Sequence, residues 1–204
     1  MKRAITLSLG VCVLMACLST GSVAAADANA SIKTVALLNL GGLSEAALAE
    51  SVAYLTKNVP LPVRSVTLPA QTSVDAVLQA VTKARTETDA IVIAVVAFKN
   101  MESAMLVDPG HALALVNTEA VRQLSPKPVS INQSILRALA SELGVGYCID
   151  PNCVNRLIAT PAEFQKLGGN FCPPTLQQLL ISASERGVKT TVPARKRLAP
   201  AEKK

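Results

Sequence analysis

Three cysteines in the C-terminal half, Cys148, Cys153 and Cys172, are the side chains whose type and spacing best suit chemistry. Such thiols can close a disulfide, hold a soft divalent ion as three of four ligands, or stay free. An oxidising compartment favours the disulfide. A Cys₃ zinc site would need water or another side chain as fourth ligand. The odd count leaves one thiol over from a single bridge, unless Cys17 is retained or chains pair. The one histidine, His111, cannot build a three-imidazole metal site, and no Ser/His/Asp or Cys/His catalytic set can be assembled without it. It reads as a turn or surface histidine.

The elements that must position these residues can be traced from the N-terminal side. Ile32–Leu40 is an apolar, β-branched run ending in two glycines, and reads as a buried strand. Ser44 caps a helix with Leu48, Val52 and Leu55 on one face. Val63–Leu68 is a short strand after Pro60 and Pro62. Ser73 opens a second helix with Val74, Val77, Leu78 and Val81 in helical register. Asp89–Phe98 is the most hydrophobic strand and is expected at the sheet's centre. Met101–Val107 and His111–Thr118 flank Asp108-Pro109-Gly110, a turn sequence that favours a hairpin. After the Pro126–Pro128 breaker, Ser130 and Gln133 suggest a capping box for a helix burying Ile135, Leu136, Leu139 and Leu143 and stopping at Gly144. Between Gly144 and Cys172 no period survives, so a loop-rich stretch held by something besides a core is expected. Pro174–Glu185 is a last short helix. This order predicts an α/β sandwich with a mixed sheet.

Composition limits the functions available. Half of the 204 residues are apolar, yet only five are aromatic and none is Trp. The core must be aliphatic, and the stacking platforms used to bind single-stranded nucleic acid are missing. The net charge of +6 maps to Arg186–Lys204, while the body Asp27–Glu185 is slightly acidic, so no nucleic-acid partner is expected. Residues 27–185 form the expected folded domain, and 186–204 a disordered basic tail. Met1–Ala26 reads as a Sec signal: Lys2-Arg3, an apolar run from Ala4 to Leu18, then Ala24-Ala25-Ala26 before Asp27. The run is too short for a membrane span. Leu14-Met15-Ala16-Cys17 resembles a lipoprotein box, so a lipid anchor at Cys17 is the alternative to soluble export. Cys12 leaves with the signal in either case. A periplasmic or secreted location is expected.

The segment Arg137–Leu176 resembles the archaemetzincins, a metzincin zinc peptidase family. Their signature is H-E-x-x-H-x-x-G-x-x-H-C, a second Cys five residues on followed by Val-Met, and later F-C-x-x-C. Placed without gaps on Cys148 and Cys153, the chain puts Gly144 on the family glycine. Phe171-Cys172-Pro173-Pro174-Thr175 then falls on the last motif, with Thr175 in place of its second Cys. The two His at i and i+4 of that signature share a helix face and bind zinc, with the Glu as general base. Here Arg137 stands at the first His, Ala138 at the Glu, Ser141 at the second His and Tyr147 at the third. A slipped register on Ser141-Glu142-Leu143-Gly144-Val145 recovers the Glu but neither His. The Met after Val154 is Asn155.

The resemblance implies a metzincin-like sandwich with a mixed twisted sheet and a long helix under a cleft. Its departures imply no catalytic zinc, and lead to the expectation of a non-enzymatic pseudopeptidase without cofactor. Such a chain would bind an extended peptide or a protein through the strand of the Met101–Val107 hairpin. A hydrolase of non-zinc mechanism, or a structural envelope protein acting through its basic tail, are the alternatives. Arg137 and Glu142 are expected on a solvated or salt-bridged helix face, with an anion site at Arg137 as the other reading, and Tyr147 is expected packed. Because the family pattern brings its cysteines to one metal, a bridge from Cys172 to Cys148 or Cys153, with Cys148 preferred, would close a loop worth about 3 kcal/mol.

Overall fold

The computed structural model describes residues 32–191. The expected signal peptide, Cys12, Cys17 and most of the basic tail lie outside them. Five strands, β1 (Thr34–Asn39), β2 (Val63–Thr67), β3 (Asp89–Val96), β4 (Met105–Asp108) and β5 (Leu113–Asn117), form one sheet in the order β2-β1-β3-β5-β4. Only β4 is antiparallel; the other pairings are parallel. The sheet is therefore mixed, and β3 lies at its centre. Seven of the eight β3 residues are buried, as an aliphatic run covered on both faces requires.

Alternation along the strands divides the core in two. Val35, Leu37, Ile91, Ile93, Val95 and Val116 face a layer containing α1 (Glu45–Asn58), α4 (Val129–Glu142) and α6 (Pro173–Glu185). Ala36, Leu38, Val92, Ala94 and Val96 face α2 (Val74–Ala84) with its Val77 and Val81. Each fully buried Val, Leu or Ile contributes about 1.5–3 kcal/mol, and this α/β sandwich is made almost entirely of them. Ser44 and Ser73 cap α1 and α2 by accepting from the Ala47 and Ala76 N–H groups, as the sequence suggested. The hairpin also forms, with a 3₁₀ turn at Pro109–His111 between β4 and β5.

Three local expectations are corrected. Ser130 and Gln133 do not make a capping box. The N-cap of α4 is Pro128, without a capping side chain, because both candidates are used in tertiary contacts: Ser130 donates to the Ser125 hydroxyl, and Gln133 donates to the carbonyls of Leu167 and Gly168. A further helix, α3 (Thr118–Leu124), runs directly off β5; seven residues are too few to display a period. The stretch from Gly144 to Cys172 does have a core. Val154, Phe164, Leu167 and Phe171 are buried in the layer under the sheet, and α5 (Pro161–Phe164) carries the capping box, made by Thr160 and Glu163.

The expected start of the tail also moves. Arg186 donates to the Glu142 carboxylate, Val188 is fully buried, and the Thr191 N–H donates to the Pro60 carbonyl. The chain remains part of the folded body to at least residue 191. Among the described residues no helix is long and apolar enough to cross a membrane.

Candidate metal centre

Helix α4 ends at Glu142, and Gly144 takes the left-handed conformation, φ +71°, which costs glycine nothing. The turn sends the chain back along the helix into the loop that carries Cys148 and Cys153. The backbone of Cys148 pairs with that of Arg156 and the backbone of Cys153 with that of Asn170, each in an isolated β-bridge that fixes the residue carrying the thiol. Cys172 is the N-cap of α6, and Thr175 lies one turn further on.

The three Sγ atoms all lie within 4.8 Å of one another, with Cys148 and Cys172 3.4 Å apart and unbonded. Thr175 Oγ1 is 3.0 Å from Cys172 Sγ and 3.7 Å from Cys153 Sγ. Backbone N–H groups point at the sulfurs: Asp150 donates to Cys148 at 3.3 Å, and Cys172 donates to Cys153 at 3.4 Å. Such donors favour the thiolate over the thiol. Burial pushes the Cys153 thiol up, whereas the Thr175 hydroxyl lowers that of Cys172. Tetrahedral zinc with Zn–S of about 2.3 Å requires sulfurs about 3.8 Å apart; the Cys148–Cys172 pair is slightly closer than that, and every pair is within 4.8 Å. The donor set fits a thiophilic ion held by Cys148, Cys153 and Cys172, with Thr175 beside the fourth position.

The remaining residues singled out in the sequence surround this centre in a different way. Arg137 is not on a solvated face. It is 8% exposed, and its Nη1 donates to the carbonyls of Val154 (2.9 Å) and Arg156 (2.7 Å). It has no carboxylate partner among the described residues, and burial lowers its pKa. The guanidinium ties α4 to the loop on either side of Asn155, immediately after Cys153. Tyr147 is half-exposed rather than packed, and its ring centroid is 5.5 Å from the Arg137 guanidinium carbon, within cation–π range. Ala138 is fully buried in the core, and Ser141 is half-buried.

Glu142 is also buried, at 1% exposure. Oε1 accepts from Arg186 and Oε2 has no partner; burial raises its pKa, against the pull of Arg186. His111 is an exposed turn residue, as expected, with Nδ1 2.7 Å from an Asp108 carboxylate oxygen. The sequence did not reveal the N–H groups aimed at the sulfurs, because backbone direction leaves no trace in side-chain pattern.

No protein-family model matches this chain, and no curated protein does. The likeness lies in the fold, which is that of zinc peptidases. A zinc-dependent peptidase from Methanocorpusculum labreanum superposes with a TM-score of 0.57 at 13% identity, covering 71% of this chain and 99% of the other. More particularly, the fold is archaemetzincin-like. An archaemetzincin from Methanopyrus kandleri superposes with a TM-score of 0.54 at 15% identity, over 76% of this chain and 98% of that one.

These findings overturn the expectation that the chain is not an enzyme. That expectation rested on departures from the family signature, with Arg137, Ser141 and Tyr147 at the histidine positions and Ala138 at the Glu. The fold is that of a peptidase family, and the three thiols form a group able to hold a metal ion.

Proposed function

We propose that this protein is a metal-binding protein of the archaemetzincin fold that holds one zinc-class ion at Cys148, Cys153 and Cys172. The convergence of three sulfurs, two of them receiving backbone N–H bonds, supports this reading. The ion would cross-link the 148–153 loop to the start of α6 and would supply Lewis acidity at its fourth position, beside Thr175. Peptide hydrolysis, the activity of the Methanocorpusculum neighbour, is the reaction to assay first with zinc supplied. Cobalt(II) titration of the reduced protein tests the centre directly. One equivalent should give a thiolate-to-metal charge-transfer band that Cys153→Ser abolishes. A reduced wild type that binds no cobalt, or a chain lacking all three cysteines that still binds one equivalent, would overturn it.

A second reading concerns β4. It is the antiparallel strand at the sheet edge, and Leu106 on it is exposed beside an apolar cavity of about 360 Å³ that also includes Val74, Leu78 and Leu113. An extended peptide can add to such an edge, with an apolar side chain in the cavity. Leu106→Asp should abolish peptide binding; equal binding by the variant would refute this site. The reading also has the chain exported. N-terminal sequencing of the mature protein should begin at Asp27, a lipidated Cys17 being the alternative, and an intact Met1 would refute export.

A further inference from the structure

The three thiols of the cysteine centre are not equivalent. Cys153 is fully buried, whereas Cys148 and Cys172 are half-buried. Both of these have exposed neighbours: Tyr147 and Ile149 flank Cys148, and Pro173 and Pro174 follow Cys172. A small oxidant in solution therefore meets these two sulfurs before it meets Cys153.

The two accessible sulfurs are also the close pair, 3.4 Å apart and unbonded. A disulfide holds its sulfurs about 2 Å apart, so an approach of about 1.4 Å closes the gap. The backbones that carry them are already anchored. The Cys148 N–H donates to the Asn155 carbonyl, the Cys148 carbonyl accepts from Leu157, and the Cys172 carbonyl accepts from Leu176 in the first turn of α6. Cys153 is held differently, with its sulfur accepting from the Cys172 N–H and lying 3.7 Å from the Thr175 hydroxyl.

An ion and a disulfide compete for the same two sulfurs. Zinc takes them as charged thiolate ligands; once bonded to each other they carry no charge, and Cys153 alone is too small a donor set. Either link ties the 148–153 loop to the start of α6, so the fold keeps a cross-link at this place in both states.

We infer that the centre is a peroxide-responsive thiol switch, in which oxidation joins Cys148 to Cys172, releases the ion and leaves Cys153 as a buried thiol. The inference rests on the metal-binding reading above. The thiolate of Cys148 or Cys172 attacks one oxygen of hydrogen peroxide; the O–O bond breaks, giving a sulfenic acid and hydroxide. The other thiolate then attacks the sulfenic sulfur, the S–O bond breaks, and a second hydroxide leaves. The two thiolates have lost two electrons and peroxide has gained them. A dithiol reductant reverses the change by exchange, becoming a disulfide itself.

The test uses the full chain, reduced, loaded with zinc and treated with a slight excess of hydrogen peroxide. A chromogenic chelator follows zinc release, and peptide mapping without reduction, after alkylation in denaturant, follows the thiols. Zinc should leave in step with the appearance of a Cys148–Cys172 cross-linked peptide, with Cys153 recovered alkylated. Affinity for zinc should fall about a hundredfold, two of three thiolates being lost, and return with a dithiol. Cys153→Ser, whose ion site is incomplete, should form the same bridge; should it fail to fold, the wild-type map decides alone. A main product that bridges Cys153, sulfinic acid without a bridge, zinc still held by bridged protein, or a folded Cys153→Ser that forms no bridge would each overturn the switch and leave the metal centre standing. A reduced chain that binds no zinc overturns the metal centre, and the switch with it.

Discussion

Thr175 occupies the corner of the cysteine cluster where a fourth thiolate would complete a closed tetrahedral site. Its hydroxyl is already 3.0 Å from Cys172 Sγ, so a sulfur placed there would need little rearrangement. Thr175→Cys is therefore expected to tighten zinc binding tenfold or more, read by competition with a chromogenic chelator, because an exchangeable position becomes a thiolate. A second residue governs acid stability. Asp89 is buried, which by itself raises its pKa, but Arg64 and the Thr86 N–H and hydroxyl outweigh burial and hold it at about 2. A depressed carboxyl stabilises the fold fully above its unfolded value of about 4, and that contribution is lost as the pH falls through about 2. Asp89→Asn, which leaves Arg64 without its anion, should cost about 3 kcal/mol at pH 7. It should also flatten the loss of stability between pH 4 and 2, measured by urea unfolding at each pH.

At the scale of the elements, two loops hold the cysteines in place by close backbone contact. A Cβ on Gly168 would lie 1.6 Å from the Asn152 carbonyl oxygen, adjacent to Cys153, so Gly168→Ala must push the loops apart. It should lower both the unfolding midpoint and the cobalt affinity; an unchanged charge-transfer titration would show that the loops are independent. This contact could not be read from Gly168-Gly169 in the sequence, where a glycine pair means only a turn. Elements with a strong local signal were legible: the aliphatic run of β3, the serine caps of α1 and α2, and the Asp108-Pro109-Gly110 hairpin. That the three cysteines lie close together was implied by the resemblance to the archaemetzincins and not by their spacing alone. What escaped was set by distant partners. Ser130 and Gln133 have capping chemistry but are used across the fold, and Arg137 has the look of a surface residue until the carbonyls of Val154 and Arg156 arrive to meet it.

For the whole molecule, the C-terminal boundary matters more than composition suggests. Ending the chain after Glu185 removes Val188 from the core and Arg186 from Glu142, leaving a buried carboxylate without its cation. That truncation should lower stability by about 3 kcal/mol or more, whereas ending after Thr191 should leave the melting temperature within a few degrees. Calorimetry of the two lengths decides the boundary. The sheet order has a further consequence, for the timing of folding. Val35 pairs with Val63 on one side and with Ile91 on the other, and β3 pairs with β5, so the first strand lacks its second partner until more than fifty residues later. Helix α4, which packs against β3, β4 and β5, is made later still. Chains dominated by such distant pairings fold in milliseconds to seconds, not microseconds. A polypeptide that stays unfolded until most of it exists can pass through a narrow channel as a thread, which is what the proposed export demands of it.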